Sequence, residues 1–469
     1  MHLAYVYRRR HGIYNTIVVS HLDLEYIFMP IRDTSASTES PQGQPDPQNE
    51  DSSVRVTHNS NFTMPLLAGG IVALVTSLLF SRAASQSATT SLPPQTVFVD
   101  PLTFNVLGQN GSFRDSSFTQ FFNPTNTSPP FFQAFHPDFL TVLGKNPSIR
   151  AIASNPGFAF AHEAPIWLPS TDEIFFASND GGALGMSDLD HNNQVSKISL
   201  KEAQEAISKT SGTRDVNITV TKLDLPETVQ MTNGGTGPFR GQLLLINSGR
   251  GPLPPSLTLV NPEAPHNTTV LLDNFFGRQF NSLNDVKIHP KSKKLFFTDV
   301  IYGFLNHFRP DPLMPSQVYR FDQDTGRIRV VADGFDKCNG IAFTQDGNTA
   351  YIADTGASGG FLGNNQTHPA TIYAFDVHPK TQAFANRRVF AYVDTGVADG
   401  VQLDNKGNVY AGTGDGVQVW NPEGELLGKF FIETTSANMI FAGNRLVIMA
   451  ETKIFLAQIA AEGFDISLQ

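Results

Sequence analysis

The 469-residue sequence has one cysteine, Cys338, so no intrachain disulfide can form. A chain of this length can bury a large core without such a crosslink. Cys338 lies in an apolar stretch that has no His-containing partner motif, and we interpret it as a buried structural thiol rather than a nucleophile. The sequence also lacks a Gly-x-Ser-x-Gly motif, which argues against a serine esterase.

Charge is scarce as well: only 16% of residues are charged, and the formal net charge is −10. Because no basic stripe is available to contact phosphates, the sequence argues against a nucleic-acid partner. The acidic balance is compatible with a soluble protein that holds a cation, although an ordinary acidic surface would give the same charge. Abundant glycine and proline, and phenylalanine in large excess over tryptophan, favour β structure.

The N-terminal part of the chain differs from the rest. We interpret residues 1–63 as a disordered segment, because the Ser-, Pro- and Gln-rich tract at 33–53 is too polar to bury a core. The uncharged apolar run at 64–80 is at the lower limit of length for a membrane-spanning helix, and small residues follow it. Residues 64–85 are therefore either a cleaved signal peptide, which predicts secretion, or a signal anchor that holds the chain on a membrane.

Both alternatives place the remainder of the chain on the extracytoplasmic side, where N-glycosylation occurs. The sequence has six Asn-X-Ser/Thr acceptors, five of which follow the apolar run. They are Asn61, Asn110, Asn126, Asn217, Asn267 and Asn365.

A recurring unit of short apolar strands and tight polar turns begins near residue 95. The strands recur at intervals of roughly 50–60 residues, which is typical of a propeller and not of a sandwich. We therefore predict an all-β fold for residues 95–469, a six-bladed β-propeller with a central metal-binding channel, and a single helix at 200–209. The strands that define the period are Glu173–Ser178, Gln242–Ile246, Lys294–Asp299, Thr349–Asp354, Asn408–Gly412 and Arg445–Met449.

Four polar residues interrupt apolar strand patterns shortly before these hairpins: Glu163, Asn284, Asn339 and Asp399. Similar places in successive blades lie around one axis, so we expect the four side chains to converge. They offer only oxygen donors, the ligands that a hard cation such as Ca²⁺ prefers, whereas zinc would favour His or Cys. The sequence therefore predicts a divalent-metal site, with Ca²⁺ as the best-fitting ion.

The segments around these residues resemble the family of gluconolactonases, regucalcin and fungal lactonohydrolases. The resemblance implies a six-bladed propeller in which these four residues bind a divalent metal, and it points to Tyr302 as a substrate-binding residue. The sequence departs from the family where His162 replaces a glycine found in many members, and in a long insertion at about 182–240. The segments that carry the resemblance are Glu163–Trp167, Asn281–Val286, Phe297–Asp299 with Tyr302-Gly303, Asn339–Phe343 with Asp346-Gly347, and Asp399–Val401.

The resemblance implies a divalent-metal-dependent lactonase that opens small sugar or hydroxy-acid lactones by attack of a metal-polarised water. Asp399 is the candidate general base. In an extended strand His162 would face away from the channel if Glu163 faces it, and the same alternation discounts Asp285 and Cys338. Two other functions remain open: an inactive extracellular binding propeller, or an enzyme resembling strictosidine synthase with Glu163 as a metal-free acid–base group.

Overall fold

The computed structural model describes residues 91–464. The predictions for residues 1–63 and 64–85, and the acceptor Asn61, lie outside the described residues. No helix within 91–464 is long and apolar enough to cross a membrane. The five other glycosylation acceptors all have exposed side chains, as modification requires, and both their glycosylation and secretion of the chain stay predictions.

Three strands, a short helix and a single 3₁₀ turn precede the first blade. The turn spans Pro101–Thr103. The other elements are β1 (Thr96–Phe98), β2 (Phe131–Ala134), α1 (Phe139–Leu143) and β3 (Ser148–Ser154).

The first three blades are four-stranded antiparallel sheets in chain order. Blade one has β4 (Glu163–Leu168), β5 (Glu173–Ala177), β6 (Val195–Ser199) and β7 (Thr221–Lys222), with α2 (Leu200–Ser208) on the connection from β6 to β7. Blade two has β8 (Thr232–Phe239), β9 (Gln242–Asn247), β10 (Ser256–Val260) and β11 (Thr268–Leu272). A separate hairpin follows, β12 (Asn274–Phe275) and β13 (Arg278–Gln279). Blade three has β14 (Leu283–Ile288), β15 (Leu295–Asp299), α3 (Tyr302–Leu305), β16 (Gln317–Asp322) and β17 (Arg327–Ala332).

The last three blades differ in how their outer edges are completed. Blade four has β18 (Cys338–Phe343), β19 (Thr349–Asp354), a 3₁₀ turn (Gly360–Leu362), β20 (Thr371–Val377) and β21 (Phe384–Tyr392). Blade five has β22 (Val401–Leu403), β23 (Val409–Thr413), β24 (Gly416–Trp420) and β25 (Leu426–Phe431), and β2 and then β1 extend its edge. Blade six has β26 (Asn438–Ala442), β27 (Arg445–Ala450) and β28 (Lys453–Gln458), with β3 as its fourth strand.

The six blades form a closed ring. The first strands β4, β8, β14, β18, β22 and β26 contact one another in sequence, and β26 contacts β4. Strand β3, which precedes blade one in the chain, pairs with β28, the last strand of the described residues, and so completes blade six. Six separate apolar clusters fill the six spaces between neighbouring blades. The core is therefore a ring of blade interfaces around a polar axis.

The predicted six-bladed propeller is confirmed. The six strands that defined the sequence period are the second strands of the six blades, β5, β9, β15, β19, β23 and β27. The predicted helix at 200–209 is α2, and the side chain of Ser199 caps it by accepting a hydrogen bond from the Glu202 backbone N–H.

Candidate active site

The innermost strands of four blades begin with a β-bulge, where two residues of the strand face a single residue on the neighbouring strand. A bulge turns side chains out of the regular alternation of a strand. In three of these strands, the first residue after the last regular pair is an asparagine: Asn233, Asn284 and Asn339. The register shifts lie at 163–166 in β4, 232–235 in β8, 283–286 in β14 and 338–341 in β18.

Glu163 occupies a slightly different place from the asparagines. It is the last residue of β4 that is paired before the bulge, opposite Ala177, whereas each asparagine is the first residue of its bulge. Glu163 therefore lies one position ahead of the asparagines. The residue that follows, Ala164, has a φ of 53°, in the left-handed region that alanine rarely adopts. This backbone conformation redirects the chain between Glu163 and Ile166, where regular pairing resumes.

The structure places all the predicted site residues together. Glu163, Asn284, Asn339, Asp399 and Tyr302 line one cavity of about 210 Å³ at the start of the innermost strands. Further polar residues that share this cavity are His162, Asn179, Asp180, Asn233, Asn306, Thr355 and Ser358.

The prediction that His162 faces away from the channel is wrong. His162 lines the cavity, and one of its ring nitrogens lies within 4.8 Å of a carboxylate oxygen of Glu163 and of Asp399. The prediction assumed a regular strand, whereas β4 begins only at Glu163 and is bulged immediately afterwards.

The two neighbours discounted on the same argument lie outside this cavity. The Cys338 thiol is buried between blades three and four, in contact with the carbonyl oxygens of Asp299 and Gln317. Asp285 is buried, and its carboxylate accepts hydrogen bonds from the backbone N–H groups of Val286 and Ile341.

The cavity concentrates negative charge. Burial, together with the neighbouring Asp399 carboxylate, raises the pKa of Glu163 well above its usual value. Burial also raises the pKa of Asp399 to about 7, with Glu451 adding to the effect and His162 opposing it. Asn438 donates a hydrogen bond of 2.7 Å to Glu163 Oε2, which satisfies one of the two oxygens. Two buried carboxylates whose oxygens lie within 4.8 Å of each other, as those of Glu163 and Asp399 do, favour the binding of a cation or a proton.

His162 has a further carboxylate neighbour, Glu451. Its Nδ1 lies 2.7 Å from Glu451 Oε1, and Asn179 donates to the other Glu451 oxygen at 3.1 Å. Burial works against a charged imidazole, but Glu451, Glu163 and Asp399 outweigh it and raise the pKa of His162 to about 10. A protonated imidazole donates protons rather than accepting them, which favours Asp399 over His162 as the base.

The donor set fits a hard divalent cation. Asn284 Oδ1 and Asn233 Oδ1 are buried without a hydrogen-bond partner among the described residues. A buried amide oxygen without a partner costs free energy, roughly 1–3 kcal/mol, unless a ligand satisfies it. Two carboxylates and carboxamide oxygens around one cavity are ligands typical of Ca²⁺.

The side of the cavity formed by blades one to three is also polar. Asn233 Nδ2 donates to both carboxylate oxygens of Asp180, at 3.1 and 3.0 Å, and Asn306 Nδ2 contacts the Asp180 carbonyl oxygen. Burial raises the pKa of Asp180 to about 6. The hydroxyl of Tyr302, at the start of α3, lies 2.5 Å from Thr355 Oγ1, so this phenol has a fixed position.

The segment that carries Asp399 is held by residues outside the blades. Arg114 forms an ion pair of 2.9 Å with Asp394, and the Gly396 N–H donates to the Ser117 carbonyl oxygen at 2.7 Å. The described chain before the first blade therefore supports the loop from β21 to β22, which contributes Asp399 to the site.

Sequence reasoning missed several residues of the cavity. Asn233 had a usable signal, since Asn233-Gly234 resembles Asn339-Gly340 and precedes another apolar hairpin. Glu451 and Asp180 had none, because they lie in connections between strands whose positions only the closed ring determines.

Gly340 provides a test of how accurately Asp399 must be placed. A Cβ at this glycine would collide with the backbone oxygen of Asp399, so Gly340→Ala must displace the chain there. We expect kcat of the lactone hydrolysis proposed below to fall about 10²-fold, the effect of a roughly 1 Å misplacement. Gly157→Ala is the matched control, because its nearest neighbour atom would be 3.8 Å away. Equal activity of the two variants in steady-state assays would show that the backbone of Asp399 is not critical.

The fold and the cavity define a six-bladed propeller with an acidic, oxygen-rich site where the innermost strands begin. The chain belongs to the SMP-30/gluconolactonase/LRE-like family, whose model matches residues 162–452. This confirms the family predicted from the sequence.

Individual relatives agree with that membership. The chain is 29% identical to lactonohydrolase oryL of Aspergillus oryzae over 68% of this chain and 72% of the relative, and 25% identical to lactonohydrolase oryH of the same fungus over 65% and 74%. A solved gluconolactonase from Xanthomonas campestris has the same fold, with a TM-score of 0.55 and 23% identity over 71% of this chain and 96% of the other. The enzyme class predicted from the sequence, a lactonase, agrees with these names.

Proposed function

We propose that the protein is a lactonase that opens small, polar lactones with the help of a divalent cation, for which Ca²⁺ is the best fit. The observation that carries the proposal is the convergence of Glu163, Asn284, Asn339 and Asp399 on one cavity, in which Asn284 Oδ1 has no hydrogen-bond partner from residues 91–464. The names of the lactonohydrolase relatives support the reaction class.

These four residues would hold the ion. When bound, the cation would polarise the lactone carbonyl and acidify a water molecule. Asp399 would accept a proton from the water that attacks the carbonyl carbon, and the carbon–oxygen bond of the ring would then break. The departing ring oxygen takes a proton back, which gives the open hydroxy acid. Asp399 suits this task because its carboxylate lines the same cavity as the other proposed ligands.

The polar lining favours a hydroxylated substrate. Asp180, Asn306, Thr355 and Ser358 line the cavity together with Tyr302, and all five can exchange hydrogen bonds with ring hydroxyls. A cavity of about 210 Å³ suits a small ring rather than a bulky polycyclic lactone. We therefore propose sugar lactones and other small hydroxy-acid lactones as the substrate class, with Tyr302 as a substrate contact.

A lactone panel assayed with and without a chelator tests the proposal. We expect hydrolysis of small hydroxylated lactones, a loss of at least about 100-fold after removal of divalent ions, and recovery on addition of Ca²⁺. Hydrolysis that is insensitive to chelation would favour a metal-free role of Glu163. Absence of turnover across the panel with Ca²⁺ present would favour a binding propeller.

A further inference from the structure

A second cavity of about 280 Å³ lies near the other end of the innermost strands. Trp167 of β4 lines it, four residues beyond Glu163, which corresponds to roughly 13 Å along an extended strand. Phe343 of β18 and Phe441 of β26 lie on its wall. Gly463 and Phe464, at the end of the described chain, contribute a further side. The two cavities therefore share the innermost strands β4, β8, β14 and β18 but have separate linings.

The lining of this second cavity is mostly apolar and carries one charge. Among the described residues that line it, Lys287 is the only charged one, and it is only 6% exposed. Its Nζ lies 3.5 Å from Asp285 Oδ1 and makes no hydrogen bond within residues 91–464. An ammonium group has three N–H donors, so Lys287 Nζ can still donate to a ligand in the cavity.

The shape and chemistry are those of a small-molecule site. Ligand pockets are concave and mostly apolar, with a few polar groups that orient the ligand, and this one is just below the common range of about 300–1,000 Å³. Aromatic walls favour an apolar body, and a buried ammonium favours an anionic oxygen acceptor. Thr236 and Gln402 add two polar side chains to the lining.

We propose that this cavity binds a small amphiphilic carboxylate. Its apolar body lies among Trp167, Phe343 and Phe441, and its carboxylate accepts hydrogen bonds from Lys287 Nζ. The site is distinct from the lactone cavity, since none of the residues that line one lines the other.

Tryptophan fluorescence gives a direct test, because the chain has only two tryptophans. Trp167 lines the cavity, whereas Trp420 is buried in the apolar cluster between blades four and five. Titration of the full chain with sodium decanoate, below its micellar concentration, should give a saturable change in emission. Decyltrimethylammonium, which has a chain of the same length and the opposite charge, should bind at least tenfold more weakly.

Two variants at one position separate charge from folding. Lys287→Met keeps most of the side-chain volume and should weaken decanoate binding at least tenfold, while decanol binding stays unchanged. Lys287→Arg keeps the charge and should retain decanoate binding. Trp167→Phe should abolish the fluorescence change but leave decanoate binding detectable by calorimetry.

Binding should also be independent of the lactonase site. Asp399→Asn and removal of divalent ions should leave the affinity for decanoate unchanged, so failure of one proposal can be distinguished from failure of the other. Equal affinity of wild type and Lys287→Met for decanoate, or equal binding of the cationic amphiphile, would overturn the assignment. If decanoate binds only after deletion of residues 465–469, or only on dilution of an oligomer, the occupant of the cavity is a segment of this chain or of a second copy. Either result would also overturn the proposal.

Discussion

Asp399→Asn is expected to lower kcat for lactone hydrolysis by about 10²–10⁴-fold, even at saturating Ca²⁺. The substitution keeps an oxygen ligand and nearly the same volume, but it removes the negative charge and the capacity to accept a proton. Steady-state rates measured across a Ca²⁺ titration will separate the loss of the base from the loss of a ligand.

Glu163→Gln is the matched control for this experiment. Glu163 is buried, and one of its carboxylate oxygens accepts a hydrogen bond from Asn438. Glu163→Gln removes the negative charge of this proposed ligand, so metal affinity should fall, and excess Ca²⁺ should restore at least part of the turnover. Near-normal kcat for Asp399→Asn at high Ca²⁺ would mean that another group is the base. His162, which the structure places in the same cavity, would then be the first candidate.

The blade architecture was predictable because it depends on local patterns. Each second strand is a short apolar run with its own turn signals, such as Asp346-Gly347-Asn348, where Gly347 has a φ of 68°. The strand pairing that completes blade six was not predictable. It joins β3 to β28, which lie about 300 positions apart in the chain, and no local pattern specifies such a pairing.

The candidate site was predictable to the extent that it repeats. Asn284 and Asn339 occupy the same bulged position in neighbouring blades, and recognising that repeat identified them. The error on His162 arose because alternation along a strand fails at a bulge. Glu451 approaches His162 from blade six, 289 residues away along the chain, so only the folded ring brings the two together.

Lys429→Met should produce a large loss of stability outside the site. Lys429 is 1% exposed, and its Nζ lies 2.7 Å from Asp394 Oδ1 and 2.8 Å from Asp415 Oδ2. Methionine fills a similar volume but removes the ammonium from Asp415 and Asp394, of which Asp394 keeps its ion pair with Arg114. Removal of one partner from a buried ionic group typically costs about 3–5 kcal/mol of the free energy of unfolding, measurable by urea denaturation.

The control is Lys294→Met, since Lys294 also contacts two aspartates, Asp322 and Asp324, at 2.8 and 2.9 Å. Asp324 is half-exposed, so water replaces the lost contact there and the cost should stay below about 1 kcal/mol.

The pH dependence gives a second test. Burial alone would raise the pKa of Asp394, but Lys429, and to a smaller extent Arg114, lower it. A carboxylate with a lowered pKa in the folded state contributes stability that is lost as the pH falls. In Lys429→Met this contribution is weakened, so the deficit relative to wild type should shrink on acidification. A deficit that is constant with pH would instead point to lost packing of the lysine stem.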